Sequence, residues 1–272
     1  MDEWLVAVLL GLIQGTLEWL PVSSEGSVAL ALTALDVGES AVADTQFALF
    51  LHLGTAVAAM VYYRAEVGEL LADVPSWRPG DWFAAEQATL TFVVVAMGAS
   101  FATGGVAYLT LETVVSSLSG GAFVALIGAL LVGTGLLQWT AQDRAIERRT
   151  EIDLLDAVLV GALQGLAILP GVSRSGTTVS ALLLRGHPGE DSLRLSFLLS
   201  IPAALAAGAL VFVEVGVPSI APGPAALALA VSAVVGFLTV GALVALVRRV
   251  AFWAVCVGFG GLAVVGGALL IV

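Results

Sequence analysis

Residues 161 to 185, GALQGLAILPGVSRSGTTVSALLLR, set one arginine inside a long apolar region among small hydroxyl-bearing residues. A charged side chain at bilayer depth costs at least ~2.5 kcal/mol, so Arg174 needs a partner and reads as a functional group. Pro170 and Gly171 break the preceding apolar helix, and Ser173 is placed to cap a second short helix from about Arg174 to Leu184. The turn then directs free backbone N–H groups, the hydroxyls of Ser173, Ser175, Thr177 and Thr178, and a guanidinium at one small volume. This is an anion site, because helix N-termini and arginine forks both favour phosphate oxygens. The competing reading is a proline-kinked membrane helix whose Ser and Thr bond their own backbone while Arg174 snorkels to an interface.

Around this stretch the chain is 59% hydrophobic and only 11% charged, and several apolar runs reach the roughly 20 residues that cross a bilayer. It is a polytopic membrane protein. All ten basic residues are Arg, and the acids leave a formal net charge of -11, gathered mainly in segments 64–86 and 142–156. That balance excludes a polybasic nucleic-acid binder and points to a high-salt cytoplasm. With Cys256 as the single cysteine, no internal disulfide or cysteine metal site can form. The first apolar stretch follows Asp2 and Glu3 instead of a basic region, so no cleavable signal is evident.

Residues 4 to 20 are apolar but hold Gln14 and Glu18, and Pro21 ends them before a comfortable span. SSEGS follows, then a short apolar piece from about Val28 to Leu35. This predicts a re-entrant hairpin, tolerated only where protein or water satisfies the turn. Spans are expected at about 45–63, 88–109 and 118–139, then the Arg174 hairpin at about 153–184, then spans at about 192–213, 224–247 and 250–272. At an offset of 150, Gly11, Gln14, Gly15, Val22, Ser23, Gly26 and Phe47 fall on Gly161, Gln164, Gly165, Val172, Ser173, Gly176 and Phe197. The expected fold is therefore an all-α single membrane domain over 1–272, duplicated as repeat 1 (about 1–140) and repeat 2 (about 151–272). Each repeat is one hairpin plus three spans, and an odd number of spans inverts the second copy relative to the first.

Under this layout Arg64, Arg78, Arg144, Arg148, Arg149, Arg185, Arg194, Arg248 and Arg249 share one face, while the loops near Glu112 and Glu214 carry no arginine. By the positive-inside rule that face is cytoplasmic, which puts both termini and the first hairpin on the outer side. The two hairpin tips have diverged: Glu18, Ser24 and Glu25 of the first match Ile168, Arg174 and Ser175 of the second. One copy supplies carboxylates and the other an anion receptor. Gln14 and Glu18 share a helix face. A carboxylate beside a phosphate-binding arginine suits a general base or a metal ligand in phosphoryl transfer, although Glu18 could also simply neutralise Arg174.

At these residues the chain resembles the undecaprenyl-diphosphate phosphatase family, the bacitracin-resistance membrane phosphatases. QGTLEWLPVSSEGS at 14–27 and LPGVSRSGTT at 169–178 carry the two motifs, and the resemblance runs on through FLHLGTAVA at 50–58 and SFLLSIPAA at 196–204. It implies six spans plus two re-entrant hairpins, a site open to the outer face of the cell membrane, dependence on a divalent cation (Mg or Ca), and hydrolysis of a polyprenyl diphosphate carrier to the monophosphate, which recycles the carrier for cell-envelope glycan synthesis. Carried over by position, Glu18 is the motif glutamate and metal ligand, Ser24 the proposed nucleophile, and Ser173, Arg174, Ser175 and Thr178 the phosphate-binding elements. Three positions depart from the family pattern: Gln14 stands for its first glutamate, Ser27 for its histidine and Glu25 for its usual Thr. With Ser23 and Thr177, these residues make up the expected substrate site. The attacking group is Ser24 or a water. His52, early in the first span and at a depth the hairpin can reach, reads equally as the group that takes the proton-transfer role of the missing histidine and as a neutral interhelical hydrogen-bonder. The rival reading is a translocase that rocks around the same anion site and breaks no bond.

Overall fold

The structure, a computed structural model, describes the chain apart from residues 1, 39, 79–82, 85–86, 116–117, 119, 142–148, 150, 217–220, 248 and 272. Arg144, Arg148 and Arg248, and the side chain of Glu112, lie outside the described residues. Among the described residues there are eleven α-helices and no strand. The first two are short: α1 (Glu3–Leu17), capped by the Asp2 carboxylate, and α2 (Ser24–Ala34), whose Gly26 N–H donates to Ser23 Oγ at 3.1 Å. Helix α2 thus begins at Ser24 and not near Val28, because Ser23 supplies the cap and the tip residues themselves form its first turn. Next come α3 (Ala41–Tyr62), α4 (Arg64–Asp73), α5 (Ala88–Val115) and α6 (Gly120–Ala141). The second short pair is α7 (Leu154–Leu166) and α8 (Arg174–Leu184), the latter capped by Ser173 as its sequence predicts. Finally α9 (Gly189–Val215), α10 (Pro222–Val247) and α11 (Phe252–Ile271) close the chain. Six helices, α3, α5, α6, α9, α10 and α11, are long and apolar enough to cross a bilayer, and the protein is a multi-pass membrane protein.

Helix α4, with the 3-10 turn Val74–Ser76 behind it, was not expected: it buries no residue, so no apolar periodicity marks it.

The short helices pack through glycines. Helix α1 lies along α10 and α7 along α5. A Cβ on Gly11 would sit 2.7 Å from the Ala228 carbonyl oxygen, and one on Gly15 would sit 2.8 Å from that of Ser232. At the matching positions, a Cβ on Gly161 would sit 2.1 Å from the Ala96 oxygen and one on Gly165 2.6 Å from that of Ser100. Backbone meets backbone at both seams, the packing that small residues permit inside a membrane. The facing stretches repeat as well, Ala96, Ser100 and Gly104 on α5 and Ala228, Ser232 and Gly236 on α10. Their spacing differs from the offset of 150 because α4 and its turn lengthen the connection before α5.

These seams bring the two turns tip to tip. Gly171 N–H donates to Ser23 Oγ at 2.9 Å, and Ser175 Oγ donates to the Leu20 carbonyl at 3.0 Å. Thr134 of α6 receives the Ser173 N–H at 3.3 Å, and Gln138 donates to the Pro21 carbonyl at 2.6 Å. Gly171 itself has φ +104°, and a Cβ there would lie 2.4 Å from the Ile127 carbonyl oxygen, so both its conformation and its neighbour demand glycine.

The base of the second pair is tied by charge. Asp153 and Asp156 form a capping box at the start of α7. Asp156, fully buried, accepts from Arg185 Nε at 2.6 Å and from His187 Nε2 at 2.9 Å, while Asp153 accepts from Arg149 and Arg185, each at 2.7 Å. Burial alone would raise the Asp156 pKa, but the hydrogen bonds from His187 and Arg185 outweigh it and hold the carboxyl well below the usual carboxylate range. Asp156→Asn leaves the Arg185 guanidinium without its buried counter-charge and His187 without its carboxylate partner, and should lower the unfolding free energy by about 3 kcal/mol or more, read from thermal or denaturant melts in detergent. A depressed folded-state pKa means this stabilisation is complete above the unfolded Asp pKa and is lost as pH falls through the folded value. The difference between wild type and Asp156→Asn should therefore shrink below about pH 4.

Candidate active site

Where the tips meet, Glu18 sits at the C-cap of α1 and Arg174 at the first position of α8, both buried. Glu18 Oε1 pairs with Arg174 Nη2. Its other oxygen accepts from Ser24 Oγ at 2.8 Å and from Gln14 Nε2 at 2.9 Å, and lies 3.3 Å from His52 Nε2. Glu25 comes to the same imidazole from the other side, with Oε1 3.0 Å from His52 Nε2. The ring is held from behind by the Ala48 carbonyl, 2.8 Å from Nδ1. A carbonyl can only accept, so Nδ1 carries a hydrogen, and the contacts of Nε2 with two carboxylates require a further proton on one of the partners. The centre is thus one arginine, one histidine, two carboxylates and the Ser24 hydroxyl, with a proton shared among them.

One side of this centre faces a cavity of about 600 Å³. Arg174, Glu25 and His52 line its polar part together with Gln164 and Ser100, whereas Phe101, Leu109, Leu210 and Val213 of α5 and α9 make it apolar elsewhere. Arg174 is only 9% exposed, and its Nη1 has no hydrogen-bond partner. A buried, unmatched guanidinium nitrogen at the polar end of an apolar chamber suits an amphiphile with an anionic head and a hydrocarbon tail. Glu18 and Ser24 are not part of the cavity wall; they stand directly behind Arg174, His52 and Glu25.

The remaining expected site residues fall into two groups. Gln14 is at the centre, bonded to Glu18. The hydroxyls mostly serve the turns. Ser23 and Ser173 cap α2 and α8, and Ser27 donates to the Ser23 carbonyl at 2.7 Å. Ser175 reaches Leu20, Thr177 donates to the carbonyls of Ser173 and Arg174, and Thr178 donates to the Arg174 carbonyl while meeting Ser196 Oγ at 2.6 Å. None of these six lines the large cavity; Ser175 lines a second one of about 160 Å³. Gln164 and Ser100 were not singled out from sequence as site residues, although the match of Gln164 to Gln14 was there to be used.

For a divalent cation the donors are oxygens. No three His, Cys, Asp or Glu side chains among the described residues are set to hold a metal ion. The buried Gln14 Oε1, however, has no partner, and it stands beside Glu18, with Glu25 one imidazole away. Such a set fits a hard cation that draws its other ligands from phosphate oxygens.

Fold and site together define a multi-pass membrane protein with a buried cluster of charged side chains beside a mostly apolar cavity. The model of the family described as bacitracin resistance protein BacA matches residues 7–263, and the chain belongs to that family. A protein of Haloarcula marismortui named undecaprenyl-diphosphatase is 63% identical over 272 residues, 99% of each chain. Proteins of the same name from Methanococcoides burtonii and Geobacter sulfurreducens are 37% and 36% identical, covering 95% and 89% of this chain and 96% and 89% of their own.

The buried pair gives a direct test of how far Glu18 holds Arg174 in place. Glu18→Leu leaves an uncompensated guanidinium and should lower stability by about 3–5 kcal/mol, whereas Glu18→Leu with Arg174→Met should recover part of that loss. Additive melting shifts in the double variant would mean the two side chains are not coupled.

Proposed function

We propose that the protein is a membrane phosphatase that hydrolyses a polyprenyl diphosphate of the undecaprenyl type to the monophosphate and inorganic phosphate, recycling a lipid carrier. The observation that carries this reading is the buried Arg174–Glu18 pair joined to His52 and Glu25, with Arg174, His52 and Glu25 lining one side of a mostly apolar cavity. Family membership and the relatives' shared name supply the reaction class.

In this reading the prenyl chain lies in the cavity, and the terminal phosphate, held by Arg174, reaches past the wall formed by Arg174, His52 and Glu25 to Ser24 behind them. Ser24 Oγ is the attacking oxygen, and Glu18 Oε2, 2.8 Å away, takes its proton. A bond forms from Oγ to the terminal phosphorus as the bond from that phosphorus to the bridging oxygen breaks; the electron pair leaves on the prenyl monophosphate. Water then attacks the same phosphorus, the bond from phosphorus to Oγ breaks, and Ser24 Oγ takes back the proton held at Glu18 as inorganic phosphate leaves. His52, between Glu18 and Glu25, holds the proton that passes between steps, the role expected of the histidine absent at Ser27. The divalent cation, Mg²⁺ or Ca²⁺, would be held by Glu18 with Gln14 Oε1 beside it and would supply charge neutralisation on the diphosphate. Ser173, Ser175, Thr177 and Thr178 act by shaping the turn that presents Arg174, and Ser23 and Ser27 by shaping its counterpart.

The architecture belongs to the same proposal: two halves of inverted topology, each a re-entrant hairpin (α1–α2, α7–α8) plus three spans, within one membrane domain. The exchanged seams, α1 on α10 and α7 on α5, support it, since two halves related by a pseudo-two-fold axis pack in this reciprocal way. The one-sided arginines support an orientation with the site and both termini toward the outer face.

A phosphate-release assay on purified protein with farnesyl or longer prenyl diphosphate is the deciding experiment. Release is expected, Arg174→Lys should cut kcat/KM by about 10² or more, and Ser24→Ala by at least as much. In the same assay His52→Gln should lower kcat and flatten the pH–rate profile, and an unaltered profile would remove His52 from proton transfer. Binding without release would favour a translocase. For topology, a Cys256→Ala background carrying Ser76→Cys should label only from the cytoplasm and one carrying Ala221→Cys only from outside; labelling of both from one side would sink the inverted repeat.

A further inference from the structure

The cavity holds a second polar pair that the chemistry above leaves unused, Gln164 on α7 and Ser100 on α5. Gln164 is only 4% exposed, yet its Oε1 has no partner, and its Nε2 makes just two long contacts, with Ser100 Oγ at 3.4 Å and Met97 Sδ at 3.8 Å. A buried amide with one end unmatched is costly unless a ligand completes it.

Its counterpart shows what has been released. Gln14, at the matching position of α1, spends its Nε2 on Glu18, four residues along the chain. Four residues after Gln164 stands Ile168, so the second copy has no carboxylate to hold its glutamine. The side chain faces the cavity instead. Rotating the amide, whose oxygen and nitrogen are assigned from their neighbours, lets Oε1 accept the Ser100 hydroxyl hydrogen and leaves both N–H groups without a protein partner at the cavity wall.

We infer that Gln164 and Ser100 form a second phosphate subsite, which holds the phosphate that carries the prenyl tail while Arg174 holds the terminal one. This rests on the phosphatase reading for the order of the two phosphates along the cavity, not for the existence of the subsite. The tip of α8 takes the phosphorus under attack, so the tail-bearing phosphate falls to α5 and α7. Helix α5 also supplies Phe101 and Leu109 of the apolar wall, so head and tail are received by adjoining turns of one helix. Neutral donors suit this position. They hold a leaving monophosphate without the tight ion pair that would retain it as product.

The test is binding without turnover. Displacement of radiolabelled farnesyl monophosphate from purified protein reports this subsite, and inhibition of that exchange by inorganic phosphate reports Arg174. Gln164→Leu should weaken farnesyl monophosphate about tenfold and Ser100→Ala about threefold, with inorganic phosphate changed by less than about twofold. Gln164→Glu, which keeps the shape but sets a carboxylate against phosphate, should weaken farnesyl monophosphate more than Gln164→Leu does. Arg174→Lys should show the reverse pattern, a loss for inorganic phosphate above all. Unchanged farnesyl monophosphate binding in Ser100→Ala and in either folded Gln164 variant overturns the subsite, and so does an equal loss for uncharged farnesol, which would make Gln164 a packing residue. Should wild type bind farnesyl monophosphate but release no phosphate from the diphosphate, the phosphatase reading fails while the subsite stands.

Discussion

Everything in this molecule depends on keeping one guanidinium charged in the interior of a membrane protein. An isolated Arg174 at that depth would be expelled or would drag water inward, so its position requires an anion that is itself fixed. Glu18 is that anion, and it arrives from the other end of the sequence. The ion pair therefore obliges the α1–α2 and α7–α8 turns to meet, and the tip contacts through Ser23, Gly171, Ser175 and Thr134 follow from that meeting. Since breaking a buried pair costs more than the pair contributes, this arrangement is held less by net attraction than by the penalty for every alternative.

That requirement reaches outward into the helix seams. Two turns can touch only if the helices leading to them lie deep between the spans, and helices with ordinary side chains would stand too far apart. Gly11, Gly15, Gly161 and Gly165 remove the side chains where α1 meets α10 and where α7 meets α5. No hydrophobic force drives helices together in lipid, so close backbone approach and its dispersion contacts supply the attraction. The charged tip and the glycine seams are then one design: the seams permit the depth, and the ion pair makes the depth specific.

How much of this could be read from the residues depends on whether the signal is local. The six long helices are legible because a bilayer imposes a length of apolar sequence, and α8 begins at its expected residue because a proline, a glycine and a capping serine lie side by side. Helix α4 was not legible, being amphipathic to nothing. At the site, Glu18, Arg174, Ser24, Glu25 and His52 were named beforehand and lie together, His52 on no more than its depth along α3. The roles of the hydroxyls were less legible. A serine beside an arginine reads equally as a phosphate ligand and as a cap, and only the position of Leu20 or Gly171 reveals which bond it makes. Gln164 shows the opposite case, where the repeat carried the information but a lone glutamine in an apolar run has a bland explanation as well.

Matched at the offset of 150, the two tips exchange charged and polar groups at Glu18 against Ile168, Ser24 against Arg174, and Glu25 against Ser175. Each exchange removes a conflict that symmetry would create. Two glutamates in the first positions would repel across the junction, and two arginines in the second would have to share one carboxylate. An apolar Ile168 avoids the first, and it leaves Glu18 free to accept from Arg174, Ser24 and Gln14 at once. Ser24 opposite Arg174 gives a hydroxyl within reach of the same carboxylate that the guanidinium holds. Two similar turns meet at one point, and in the proposed reading one holds the anion while the other supplies base and hydroxyl. A single hairpin could not do both, because Glu18 fixed by its own turn would have no independently anchored cation to orient it.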